Sequence, residues 1–228
     1  MPLEGFAERR YTKLTVNIST LPSLMPLCLV TFLVSLLSVS VHCGTIREHG
    51  QLTLNSNEYT LQSSVTDGTY LYFVADALTG YGKMVRVNPT TFTRSASVTG
   101  STTGTNYWRC VAQSGGYAYV GTFEAPANLL QITLATMTIA NTLSLSSYSL
   151  NYATTVQIVG SYAYFATYES SPSIVRIAIP GFTYSTSTTI SSSYCQYISS
   201  SGQYDGYLFF TCYMAPGRLM RFDYASMA

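Results

Sequence analysis

The sequence predicts an all-β fold built from a tandem array of four-stranded antiparallel units, and three observations predict it. A Tyr-x-aromatic strand is written four times, at Tyr70/Tyr72, Tyr117/Tyr119, Tyr162/Tyr164 and Tyr207/Phe209, in steps of 47, 45 and 45 residues. An apolar strand with a polar residue inside it accompanies each one: "MVRV" at Met84–Val87, "LLQI" at Leu129–Ile132, "IVRI" at Ile174–Ile177 and "LMRF" at Leu219–Phe222, every step 45. Composition is the third observation. Of 228 residues only 9% are charged, against about 25% in an average soluble domain. Tyrosine occurs 20 times and 47% of the residues are hydrophobic. Tyr, Thr and Ser in place of charges suit pleated, half-buried surfaces, and this hydrophobic share excludes a disordered chain.

The first element is of another kind. No residue from Leu14 to Val41 is charged, and Arg9, Arg10 and Lys13 precede the run. A basic flank, the apolar "LMPLCLVTFLVSLLSVSV" and small residues at its end are the parts of a secretory signal. "SVS" at Ser38–Ser40 places a cleavage before Val41. The run is also long enough to act as a retained anchor, which takes about 20 residues. Residues 1–43 are thus expected to form an apolar leader helix, as signal peptide or signal anchor, with residues 14–41 as a membrane tether in the second case. Both readings place residues 44–228 outside the cell, secreted or on the extracellular side of a membrane.

The repeats follow. In the second, "CVAQS", "YAYVGTF", "LLQITL" and "TLSLSS" read as four short strands with turn residues between them. Four strands of about five residues plus their turns fill about 45 residues, the size of one propeller blade. Two smaller anchors keep the same phase. "FT", "MT" and "FT" stand at Phe92, Met137 and Phe182, and glycine precedes each Tyr strand at Gly68, Gly115 with Gly116, Gly160 and Gly206. The expected fold is therefore a β-propeller of about four blades, near 60–100, 108–147, 153–192 and 193–228. Both faces of a blade press on neighbours, so the Tyr-x-Tyr pair should fill one seam and the residues between them the other.

The ends pose the closure problem. The last repeat shows three strands, and "QLTLN" at Gln51–Asn55 reads like an outer strand. Residues 51–55 are a candidate closing strand for the last blade, giving a four-bladed ring without open edges. The rival is an incomplete larger ring, completed by self-association with a second copy or by further blades.

The repeat resembles YVTN-type propeller repeats, and more closely a group of surface-protein repeats with a consensus near GYAYFGTYTSPGxVVKIDLxTFT. "GYAYVGTFEAPANLLQITLATMT", "SYAYFATYESSPSIVRIAIPGFT" and "DGYLFFTCYMAPGRLMRFDYASM" carry the resemblance, which extends over residues 60–228. It implies a propeller in a secreted or membrane-tethered protein, commonly with more blades than four, and it implies no particular activity.

Five cysteines occur. Cys28 would leave with a cleaved signal; Cys43, Cys110, Cys195 and Cys212 remain, an even number suited to an oxidising compartment. A hairpin turning at Ser201–Gly206 would set Ser200 opposite Tyr207 and Cys195 opposite Cys212, a distance a disulfide can bridge. Two buried free thiols are the alternative. Neither CxxC nor Cys/His metal spacing occurs, so neither metal nor cofactor is expected.

Catalytic chemistry has few carriers. The two histidines, His42 and His49, precede the repeats, so no Ser/His/Asp or Cys/His set can be drawn inside them. Glu124 and Glu169 are repeat-equivalent, each just after a Tyr strand. Paired acids could bind a cation or move protons, but equivalence explains them as inherited loop residues. Arg86, Arg176 and Arg221 share one strand position, with Gln131 in the second blade. They either pack their stems at the seam with heads reaching a neighbouring carbonyl, or form a polar ring that contacts a partner or glycan. Tyr107 and Trp108, in "TNYWRC", lie outside the anchors and are the rim-loop aromatics best placed to bind.

The net charge is +1, with eight positive and eight negative residues beyond residue 40. No basic stripe exists for a phosphate backbone, which excludes nucleic acid as an expected partner. The sequence thus points to a secreted or cell-surface propeller, not an enzyme, that binds a protein or glycan. The alternatives are a truncated lactonase-like hydrolase whose catalytic blades are missing, and a structural coat or matrix component.

Overall fold

The computed structural model describes residues 50–227 apart from Tyr59, 77–80 and 101–103. The leader expected at residues 1–43 lies outside the described residues. Among the described residues no helix is long and apolar enough to cross a membrane.

Among the described residues fifteen strands form four antiparallel sheets, each from consecutive strands. Sheet one holds β1 (Leu61–Thr66), β2 (Leu71–Ala75), β3 (Lys83–Asn88) and β4 (Thr93–Thr99). Sheet two holds β5 (Trp108–Ser114), β6 (Tyr117–Thr122), β7 (Asn128–Thr133) and β8 (Thr138–Ser144). Sheet three holds β9 (Ala153–Val159), β10 (Tyr162–Thr167), β11 (Ser173–Ala178) and β12 (Thr183–Thr189). Sheet four holds β13 (Ile198–Tyr204), β14 (Tyr207–Cys212) and β15 (Arg218–Asp223). Every Tyr-x-aromatic strand is second in its sheet, as expected, and every turn before it contains glycine at positive φ. The "FT/MT/FT" anchor proves to be a backbone requirement. Phe92, Met137 and Phe182 enter the last strand of their sheets from left-handed turns, with φ of 50, 53 and 45°, and Met227 repeats the conformation at 58°.

Sheets pack face to face in chain order, and each seam uses two different surfaces. The Tyr-pair side of one sheet, here the forward side, meets the intervening residues of the next, its backward side. Tyr72, Val74 and Met84 of sheet one pack on Ala118, Val120, Leu130 and Ile132 of sheet two. Tyr119 and Leu129 of sheet two pack on Ala163, Phe165, Val175 and Ile177 of sheet three. Tyr164, Ala166 and Ile174 pack on Leu208, Phe210 and Phe222 of sheet four. Sizes are matched across the seam. A side chain on Gly121 would come within 2.8 Å of both Ala153 and Cys110 and 3.3 Å of Phe165, so the large ring fits because its neighbour has none.

The first strands β1, β5, β9 and β13 follow one another around a polar hollow, and β13 does not pack against β1 as the other neighbours do. Among the described residues, sheets two and three have a sheet on both sides, whereas no sheet packs on the backward side of sheet one or the forward side of sheet four. Phe92 is 46% exposed where its counterparts Met137 and Phe182 are 6% and 5%.

Two expectations are corrected. Gln51–Asn55 is not the fourth strand of sheet four. Among the described residues it forms no ladder, and Gly50–Leu54 lies over Leu61, Leu71 and Phe73 of sheet one. Its alternating Leu52 and Leu54 serve to cover an apolar face, which requires no strand pairing. The disulfide forms, but in another register. β13 turns at Asp205–Gly206, so Tyr204 faces Tyr207 and Ile198 faces Cys212, with a bulge between Ile198 and Ser200. Cys195 lies ahead of the strand, in a turn where its N–H donates to the Ser191 carbonyl, and joins Cys212 across a Cα separation of 5.3 Å. Cys212 holds the repeat position of Thr122 and Thr167, whose hydroxyls accept the amides of Asn128 and Ser173. Sheet four replaces that hydrogen bond with a covalent link.

Candidate functional site

The residues entering each first strand and those leaving each second strand converge on one rim. The entry residues Thr60, Tyr107, Tyr152 and Tyr197 are repeat-equivalent, and all are left-handed, with φ of 58, 46, 55 and 50°. The carbonyls of Tyr107, Tyr152 and Tyr197 accept from the amides of Phe123, Tyr168 and Tyr213. A second set crosses the seams: Tyr152 N–H donates to the Glu124 carbonyl and Tyr197 N–H to that of Glu169, at 2.8 Å each. The backbone therefore presents aromatic side chains as a collar. Ring centroids lie 5.0 Å apart for Phe123–Tyr152, 5.8 Å for Phe123–Tyr168 and 5.0 Å for Tyr168–Tyr197. Tyr107 is 40% exposed and Tyr213 71%. Only Tyr107 of this collar was singled out from sequence. Its repeat spacing could have revealed the others, but the same spacing marks core tyrosines.

Trp108 corrects the sequence expectation. It is fully buried in β5 and its indole Nε1 donates to the Thr105 carbonyl at 2.7 Å. A side chain on Gly82 would sit 2.1 Å from the indole, so sheet one admits this ring by having no Cβ there. Its role is packing, and the rim aromatic of the pair is Tyr107.

Glu124 and Glu169 do reach the rim, and each is held by an asparagine. Glu124 accepts from the Asn106 amide N–H at 3.2 Å and from Asn106 Nδ2 at 2.9 Å; Glu169 accepts from Asn151 Nδ2 at 2.9 Å. These pairs tie the loop after a second strand to the loop entering the first. Among the described residues no group of three His, Cys, Asp or Glu is placed to hold a metal ion.

Arg86, Arg176 and Arg221 are not brought to this rim. Each guanidinium lies over the first Tyr of its own sheet, at 4.7 Å from Tyr70, 4.8 Å from Tyr162 and 4.5 Å from Tyr207, where cation–π attraction holds it. Those tyrosines start the second strand, whereas the collar follows its end. Arg86 Nη1 also donates across the seam to the carbonyls of Leu134 and Ala135, at 3.4 and 3.5 Å.

Beneath the collar the first strands wall a polar hollow of about 350 Å³. Gln62, Arg109, Thr154 and Ser199 hold one repeat position on its wall, and Arg109 is the one charged residue among the described residues lining it. Arg109 stacks over the Phe123 ring at 5.1 Å and lies 3.9 Å from Asp76. Burial pushes the Asp76 carboxyl above its ordinary range, and Arg109 offsets this only in part. Asp76 Oδ1 is buried, with no hydrogen-bond partner among the described residues. Sequence reasoning missed Arg109. The usable signal was its departure from the repeat, a cation where the other blades have neutral side chains. Cys110, next to it, is a free buried thiol pushed up to about 12 by desolvation, hence no nucleophile.

No family model matches the chain, and no curated protein matches it. Among solved structures it is similar to Kuenenia stuttgartiensis hydrazine synthase, at 13% identity and a TM-score of 0.61 over 79% of this chain and 50% of that one. The computationally designed Ika4 protein is similar at 10% identity and a TM-score of 0.56, over 76% of this chain and 98% of that one. The Neurospora crassa Pan2 WD40 domain is similar at 10% identity and a TM-score of 0.54, over 74% and 50%. The chain spans half the length of the hydrazine synthase and Pan2 chains it matches. At such identities the likeness concerns fold alone. With four consecutive antiparallel sheets stacked on complementary faces around a polar hollow, the fold of the described residues is that of a β-propeller.

Proposed function

We propose that this protein is an extracellular interaction scaffold, without catalysis, whose aromatic collar binds a glycan. The collar carries the reading: Tyr107, Tyr152, Tyr168, Tyr197, Tyr213 and Phe123 are gathered on one rim by a backbone pattern that repeats with the blades. Aromatic faces stack on sugar rings, and a few fixed polar groups orient them. Asn106, Asn151, Glu124 and Glu169 supply such groups. The occupied carboxylates argue for recognition over proton transfer, since each already accepts an asparagine amide. The Cys195–Cys212 disulfide supports an oxidising compartment. The test is a glycan array probed with the labelled full chain, followed by titration calorimetry on any ligand found. Tyr107→Asn keeps a residue tolerant of the left-handed backbone, and Tyr213→Ala removes the most exposed collar ring. Each should weaken binding on the order of tenfold, as loss of an aromatic anchor does. An array without binding above background, or binding unchanged in both variants, rejects the proposal.

A further inference from the structure

Two faces of the described residues lack the neighbour that every other blade face has. The forward side of sheet four carries Tyr207, Phe209, Leu219 and Arg221, with Leu219 69% exposed. The backward side of sheet one holds an apolar hollow of about 410 Å³ walled by Leu71, Phe73, Val87 and Phe92. Gly50–Leu54 crosses this hollow without a ladder to β1.

The inner seams show what such faces hold. Tyr119, on the forward side of sheet two, meets Phe182 of sheet three with ring centroids 6.0 Å apart. By repeat position Phe209 is the counterpart of Tyr119, and Phe92 that of Phe182. Arg86 donates from the forward side of sheet one to carbonyls in the β7–β8 turn of the next sheet. Its counterpart Arg221 rests over Tyr207 and has no hydrogen-bond partner among the described residues. The counterpart carbonyls, of Pro89 and Thr90, lie in the β3–β4 turn of sheet one. One free face thus carries the ring and the unsatisfied donors, and the other carries the socket and the acceptors. Within one copy the two do not meet, because β13 and β1 do not pack as neighbouring blades do.

We propose that a second copy of this chain occupies both faces, head to tail. Sheet four of each copy packs on sheet one of the other, Phe209 on Phe92 and Arg221 on the Pro89 and Thr90 carbonyls, with Gly50–Leu54 displaced. Two copies related by a two-fold axis satisfy all four free faces at once and close a ring of eight sheets. The arrangement is heterologous at each seam yet closed, so it ends at the dimer and does not grow into a filament.

The experiment uses the full chain, expressed in a secretory host and purified from whichever fraction holds it. Light scattering and native mass spectrometry at roughly 10 μM, a level that populates contacts of micromolar affinity or better, should give twice the chain mass. Leu219→Asp places a charge on the sheet-four face, and Phe92→Asp does so on the sheet-one face at a left-handed position that Asp tolerates. Each variant alone has both seams damaged and should dissociate on the order of 100-fold more readily. Ala140→Asp, on exposed β8, should leave the dimer intact. Mixing the two variants restores one undamaged seam and should recover a heterodimer. A wild-type monomer, a dimer indifferent to Leu219→Asp, or no recovery on mixing overturns the proposal; the last result would also follow from sheet-four-to-sheet-four pairing.

Discussion

Sheets two and three bury what sheets one and four leave open, although one repeat writes all four. Phe165 and Phe73 hold the same repeat position. Phe165 is fully buried against the Gly121 gap, whereas Phe73 is half-buried over the hollow beneath Leu52 and Leu54. The difference teaches that a seam belongs to a pair of blades, so burial at a given repeat position depends on which neighbour stands there. Energies should follow the pair too.

The largest contrast is expected at those two phenylalanines. Phe165→Ala should cost about 3–5 kcal/mol, the transfer of a buried ring plus the cavity left in a seam that cannot collapse. Phe73→Ala should cost less than about 2 kcal/mol, because part of that ring is already in water. Urea denaturation of the two variants measures the gap, and equal losses would mean that the sheet-one face is covered as fully as an inner seam.

The next contrast sets sheet four against its neighbours. The Cys195–Cys212 bridge spans 17 residues of sequence, and removing it should cost about 3 kcal/mol by the loop-entropy account. The loss should be local. After reduction, hydrogen exchange should accelerate first in β13–β15, with β5–β12 still protected. Uniform acceleration would show that the four sheets unfold as one unit.

Sheet one has its own tie. Arg94 Nε and Nη2 donate to the two oxygens of buried Glu58, at 2.8 and 2.5 Å. Burial pushes the Glu58 carboxyl up, but Arg94 and the Asn55 amide outweigh it and hold it below the ordinary value of 4.5. A depressed carboxyl contributes stability that is full above its unfolded value and fades as pH falls through the folded one. Acidification from pH 7 through the region below about 4.5 should therefore loosen the β4–Glu58 end of sheet one. Glu58→Gln should cost about 1–3 kcal/mol at pH 7 and blunt that acid sensitivity, as thermal melts across pH would record. An unchanged acid limb in the variant would remove Glu58 from the account.

The smallest expected effect is a null signal within an inner seam. Cys110 is buried beside Gly121 with its thiol pushed up to about 12. Its peptide should remain unlabelled by iodoacetamide at pH 8 in the folded protein and label fully in denaturant. Labelling without denaturant would reveal local opening of the seam between sheets two and three.

Much of this organisation is legible in the sequence. A strand period of two inside a blade period of 45 residues tells which side chains share a face and which positions recur. Hence the second-strand placement of the Tyr pairs and the two kinds of seam. Trp108 was not legible as core, because the gap that admits it is made by Gly82 in another sheet. Nor was the hairpin register of sheet four. Ser and Gly in "SSSGQY" give no hydrophobic alternation to set it, and a bulge then shifts it. The right disulfide was reached through a wrong pairing.

By itself the sequence determined the repeat unit, its strand order and the alternation of seam-filling side chains, since these follow from local backbone geometry and spacing. The tertiary structure alone decided which repeats have covered faces, where Gly50–Leu54 lies, and which aromatics become a collar and which become core. Those outcomes depend on what stands opposite each residue across a seam, and a periodic sequence writes nearly the same residue whether or not a neighbour is there.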